Sequence, residues 1–132
     1  MDKKTETIIG VAIGIIVVAI VLFLALAVKE CQAEWSKEDT QRETIYLVLH
    51  GADWLQTREI SRNPYYTEMN PILGQNPTLQ QVDSYFLISG IGHYLISRQL
   101  SPKWRERWQM FSIGFEASTV AWNLRIGIAI KL

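Results

Sequence analysis

The residues of this chain best suited to chemistry are two histidines, His50 and His93, and two carboxylates, Asp53 and Glu116. His50 and Asp53 stand three apart, so a helix would carry both on one face. His93 and Glu116 come from later segments. Together, two imidazoles and two carboxylates would suit zinc or a non-haem iron or manganese, and one carboxylate could act as base toward a metal-bound water. A divalent metal is therefore a candidate cofactor. The same four groups have a second use: imidazoles and carboxylates can pair with each other and with hydroxyls, fixing helix register where water is scarce. The tight H-E-x-x-H spacing that marks a zinc helix is missing. A lysozyme-type pair is also excluded, because Glu43 and Asp53 lie on one apolar-flanked helix rather than across an open, wet cleft.

Each of these residues belongs to a stripe. Glu43, Tyr46, His50, Asp53 and Thr57 recur at steps of three and four, and Asp83, Phe86, Gly90, His93 and Ser97 do the same. Ser112, Glu116, Thr119, Asn123 and Gly127 repeat the rhythm a third time. Three helices, each with one polar stripe on an otherwise apolar surface, satisfy those groups best by facing them inward. The expected interior is polar: His50, Asp53, His93, Glu116 and Asn123, supported by Thr57, Ser97 and Thr119. The loop residues Glu68 and Asn70 are expected to fold back over Asp53-Trp-Leu-Gln-Thr57 and close it.

The helices that must position these stripes have readable ends. Ser36-Lys-Glu-Asp39 has capping-box spacing, so a helix should start there and run to Ile60 or Ser61. Three Asn-Pro steps between Arg62 and Pro77 break it. Asn76-Pro77 reads as the next helix start, leading to about Gln99, and Ser101-Pro102 opens a last helix running toward the C-terminus. No alternating strand pattern persists. The fold class expected is all-α.

Ahead of this lies a different kind of sequence. Ile8 to Val28 is an unbroken apolar run, preceded by Lys3 and Lys4. As a helix it spans roughly 30 Å, the thickness of a hydrocarbon core. A secretory signal usually has a shorter apolar stretch, so residues 1–33 read as an uncleaved membrane anchor, with Cys31-Gln-Ala33 as the alternative cleavage site. Gly10 and Gly14 form a G-x-x-x-G step, but glycines are common in membrane helices and no dimer is inferred from it. Residues 34–132 form the helical bundle, expected to be membrane-embedded. Trp35, Trp54, Trp104 and Trp108 near the helix ends fit an interface. The basic cluster Arg98/Lys103/Arg105/Arg107 does not: with Lys3 and Lys4 inside, it falls outside, against the positive-inside tendency.

Composition narrows the partners. The 13 basic and 13 acidic residues leave a formal net charge of zero, so nucleic acid is not an expected partner. The single cysteine excludes an intramolecular disulfide and a Cys-rich metal site. Lipid and another membrane protein, or a second copy of the chain, are the partners this composition suits.

The run D-W-L-Q-T (53–57), followed by E-M-N-P-I-L-G-Q-N-P (68–77) and V-D-S-Y-F (82–86), resembles a group of small bacterial and phage-encoded membrane proteins. That group carries D-W-x-Q-T, then E-x-N-P-x-L-G-x-x-P and a later Y-F with a histidine. The likeness covers roughly Trp35 to Gly127. It implies an inner-membrane location and brings no activity with it. The function expected is a small integral membrane protein acting through helix–helix contacts, as a subunit or accessory of a membrane assembly. The alternatives are a membrane-embedded metal-dependent hydrolase or lipid-modifying enzyme, and a phage lysis- or exclusion-type membrane protein.

Overall fold

The computed structural model describes residues 34–130; the apolar run, its alternative cleavage site and the anchor expectation lie outside them. Three helices make up the described chain: α1 (Lys37–Arg62), α2 (Leu79–Gln99) and α3 (Pro102–Arg125), with no strand among the described residues. The all-helical expectation holds, as do both breaks.

Helix α1 starts on the capping box its sequence announces. The Ser36 hydroxyl accepts from the Asp39 N–H, and the Asp39 carboxylate accepts from the Ser36 N–H, each at 3.0 Å. The helix stops at Asn63, whose extended backbone is what the following Pro64 demands. In the connecting loop the Asn70 side chain accepts from the Ile72 N–H at 2.9 Å, and Gly74 supplies a φ of 76°. Asn76-Pro77 is not the start of α2. Thr78 caps it, in a second capping box closed by Gln81. Two adjacent start signals compete here, and the reciprocal pair satisfies two backbone N–H groups where Asn76 would satisfy one. Ser101 is the N-cap of α3 with Pro102 in its first turn, as expected, although the Ser101 hydroxyl makes no capping bond. Helix α3 ends at Arg125, short of the C-terminus. Gly127, counted above as the last member of a stripe, instead makes the turn with φ 92° and is exposed. That turn brings Ile128 back into the bundle, 2% exposed, with its N–H on the Asn123 carbonyl.

The order is antiparallel, up-down-up. Helix α1 packs against both others, whereas α2 and α3 make little contact with each other. What lies between them is unusual for a water-soluble bundle. Among the described residues, twelve polar or charged side chains are buried and only five apolar ones, while nineteen large apolar side chains are exposed. A bundle folded by water runs the other way. No helix among the described residues is long and apolar enough to cross a membrane.

Candidate functional site: a layered polar interior

The buried polar groups form layers down the bundle. At the end where α1 and α3 begin and α2 finishes, Arg105 is 0% exposed. Its Nη1 donates to Asp39 Oδ2 at 2.7 Å and to the Glu34 carbonyl at 3.1 Å. Its Nε and Nη2 donate to the carbonyls of Ser97 and Leu100, at 2.8 and 3.1 Å. Those carbonyls belong to the last turn of α2, which has no helical donors left for them. One guanidinium thus ends one helix and ties two others to it. Arg105 is therefore not a loop charge of the basic cluster, as its position suggested. Asp39 also accepts from Arg42 at 2.6 Å. Burial alone would raise its pKa, but the Ser36 N–H and the two guanidiniums outweigh that and hold it at about 2.

The next layer pairs His93 with Glu43. His93 Nδ1 lies 3.0 Å from Glu43 Oε1, and Gln109 donates to Glu43 Oε2 at 2.9 Å. The His93 ring is sandwiched between Tyr46 from α1, 3.6 Å between centroids, and Trp108 from α3, at 5.1 Å. Trp108 thus serves the interior, contrary to the interfacial role expected of it.

Below Tyr46 comes the His50 layer. His50 Nδ1 is 2.7 Å from Glu116 Oε1, and its Nε2 is 3.0 Å from the Phe86 carbonyl. Both ring nitrogens are therefore engaged, Nδ1 by the Glu116 carboxyl group and Nε2 by the Phe86 carbonyl. Ser89 also approaches Nε2, at 3.2 Å, but its hydroxyl donates to the Tyr85 carbonyl at the shorter 2.7 Å. His50 also lies against the α2 backbone at Gly90, where a Cβ would meet the ring at van der Waals distance, 3.4 Å.

The last layer lies under the connecting loop. Asn123 donates to Asp53 at 3.2 Å and to Gln56 at 3.1 Å, and Gln56 donates on to the Val120 carbonyl at 3.3 Å. Thr57 is buried beside them. Glu68 accepts from the Asn70 N–H at 2.7 Å and lies near enough to Asp53 to interact with its charge. Asn70 and Glu68 lie near Tyr85, and Glu68 near Asp53, so the connecting loop runs over this end of the interior. At the rim, Trp54 and Arg58 both donate to Asp83, at 2.8 and 2.7 Å.

The four candidate residues share one interior but do not form one donor set. Among the described residues no group of three His, Cys, Asp or Glu is placed to hold a metal ion. His50 with Glu116 and His93 with Glu43 are two separate pairs, with the Tyr46 ring between them. The four residues weighed as one metal site thus fall in separate layers, each paired with a different neighbour. Asp39, Gln56, Arg105 and Gln109 were missed as members, and Glu43, which heads the first stripe, was left out of the expected interior. The stripe rule could have found them, since Asp39 precedes Glu43 by four, and Arg105, Gln109, Ser112 and Glu116 continue one rhythm.

No protein-family model, curated protein or solved structure matches the chain.

A structural role for these pairs predicts a small penalty for a conservative change. Replacing His93 with Gln keeps a donor for Glu43, which Gln109 still holds. Unfolding in detergent should show a loss of about 1–2 kcal/mol, with no divalent metal in the purified wild-type protein. Stoichiometric metal that His93→Gln abolishes would contradict the layered reading.

Proposed function

We propose that this is an integral membrane protein whose three-helix bundle sits in lipid with its polar groups sealed inside, and that it acts through helix–helix contacts as a subunit or accessory of a bacterial inner-membrane assembly. The observation that carries this is the inverted surface. No exposed side chain is charged over residues 44–57 of α1, 84–97 of α2 or 108–124 of α3. These stretches are about 21–26 Å of helix. Exposed Ile45, Val48, Ile88, Ile91, Phe111 and Phe115 lie within them. Charged groups resume at both ends: Lys37, Arg98, Lys103, Glu106 and Arg107 at one, Arg58, Arg62 and Arg125 at the other. A band of that height flanked by long basic side chains suits a thin or locally thinned bilayer.

Hydropathy of single helices does not register this, because the inward-facing acids and histidines count against each helix although the bundle hides them. Such helices would enter lipid as a packed unit rather than one by one. A water-facing bundle would leave about a fifth of its described residues as solvent-exposed large apolar side chains, far beyond ordinary patches. The paired states of both histidines favour a structural interior over the hydrolase or lipid-modifying alternative.

The test is to express residues 34–132 without the apolar run. This piece is expected to stay with membranes through high-salt and alkaline washing. Recovery as a detergent-free soluble monomer would overturn the embedding.

A further inference from the structure

The layer under the connecting loop holds more acid than its partners account for. Asp53 of α1 lies near Glu116 of α3 and Glu68 of the loop, close enough for the charges to interact, and Tyr85 of α2 lies near all three. The imidazole beside them is His50. The next basic residue along α1, Arg58, is paired with Asp83 at 2.7 Å. Three carboxylates beside one imidazole are costly in a space shielded from water. Two oxygens there also lack a donor. Glu116 is 7% exposed; its Oε1 meets His50, and its Oε2 is buried with no hydrogen bond. Glu68 repeats the pattern: Oε1 accepts from the Asn70 N–H, and Oε2 is buried and bare. Among the described residues no three such groups are placed to hold a metal ion. The cation this layer suits is therefore one that needs no coordination shell.

We infer that this layer is a proton-binding site, in which Asp53 holds the proton and donates it to the bare oxygen of Glu116 or Glu68. The inference rests on the embedding proposed above, which keeps water from the half-buried Asp53. The hydrogen bonds select Asp53 among the three acids. Glu116 has the His50 ring at 2.7 Å and Glu68 the Asn70 N–H at 2.7 Å, short contacts that favour a carboxylate. Asp53 accepts from the neutral Asn123 amide at 3.2 Å, the longest of these contacts, and stands between the other two acids. It is the least supported anion, so it takes the proton. A protonated Asp53 still accepts from Asn123 through Oδ1 and gains one hydroxyl to donate. That hydroxyl is the donor the two bare oxygens lack. Buried acids in embedded proteins mark proton relays, and Glu68, carried by the connecting loop, gives the proton a way in from that end of the bundle.

The experiment uses the full chain in liposomes at neutral pH and reads the infrared C=O stretch of neutral carboxyl groups, which stands apart from carboxylate bands and shifts in deuterium oxide. Expected is a band in the wild type that moves when aspartate side chains alone are isotope-labelled and that Asp53→Asn abolishes. Asp39 and Asp83 both face guanidiniums and should not contribute. No such band, or one that aspartate labelling leaves in place, overturns the inference without requiring any variant to fold. Unfolding gives a second reading. An unfolded aspartate is ionised above about pH 4, so a folded chain that keeps this proton binds one more than the unfolded chain and loses stability as pH rises. From about pH 5 to 7 the unfolding constant of the wild type should rise about tenfold per pH unit relative to Asp53→Asn, the other titrating groups being common to both. Parallel curves overturn the inference. A membrane-impermeant maleimide on Val48→Cys, an exposed position of α1, in a Cys31→Ser chain separates this from failure of the embedding. Labelling means that the bundle is not in lipid. Protection without the band means that it is, and that Asp53 holds no proton.

Discussion

Replacing Arg105 with Met should destabilise the bundle by about 3–5 kcal/mol, the cost of removing one partner from a buried ion pair. Methionine preserves most of the side-chain length, so the loss reports charge and hydrogen bonds rather than a cavity. The variant leaves the Asp39 carboxylate buried without its main counter-charge, and it strips donors from the Ser97 and Leu100 carbonyls at the end of α2. Asp39→Asn should cost less, because the amide can still accept from Ser36 and the guanidinium keeps its carbonyl partners. Reversible unfolding in mixed micelles reads both. A loss below about 1 kcal/mol for Arg105→Met would show that the end layer is not what ties α2 to the other helices.

The pair also has a pH signature. Asp39 is held at about 2 in the folded chain, below the ordinary 3.8. A depressed carboxylate stabilises the fold above its unfolded pKa, and that stability drains away as pH falls through the folded one. The difference between wild type and Arg105→Met should therefore be constant above about pH 4. It should shrink as the pH is taken from there toward 2, since the variant has already lost what protonation removes.

Why Arg105 was invisible as an interior residue follows from where it sits. It is three residues into α3, among Lys103, Glu106 and Arg107, and basic residues in a first turn ordinarily face water. Its rhythm with Gln109, Ser112 and Glu116 was the better guide, because a helix carries a stripe to its end regardless of charge. The same rhythm made the inward faces of all three helices legible, and the Ser36–Asp39 box and Ser101-Pro102 placed two of the starts. Pairing was not legible. Whether Glu43 or Glu116 meets His50 depends on how far one helix is shifted along another, and a single step of one turn, about 5.4 Å, exchanges partners. The metal alternative required one convergence point, whereas the axial offset of α2 and α3 distributes the four groups over separate layers along α1.

If those layers are packing rather than chemistry, removing both members of a pair should hurt far less than removing one. His50→Leu leaves the Glu116 carboxyl group, 7% exposed, without its imidazole partner in an interior that lipid surrounds. The expected loss is about 3–5 kcal/mol. His50→Leu with Glu116→Leu removes the stranded charge and fills the space with apolar volume, and buried pairs replaced in this way are often neutral or better. The double variant should therefore recover most of the loss, giving a coupling of at least about 2 kcal/mol in the double-mutant cycle. The Phe86 carbonyl loses its His50 donor in both variants, so that cost cancels between them. Additive losses would mean that each residue has its own partner beyond the pair. A double variant that folds and inserts normally, yet no longer assembles with its partner, would place a function on the polar interior that stability alone does not require.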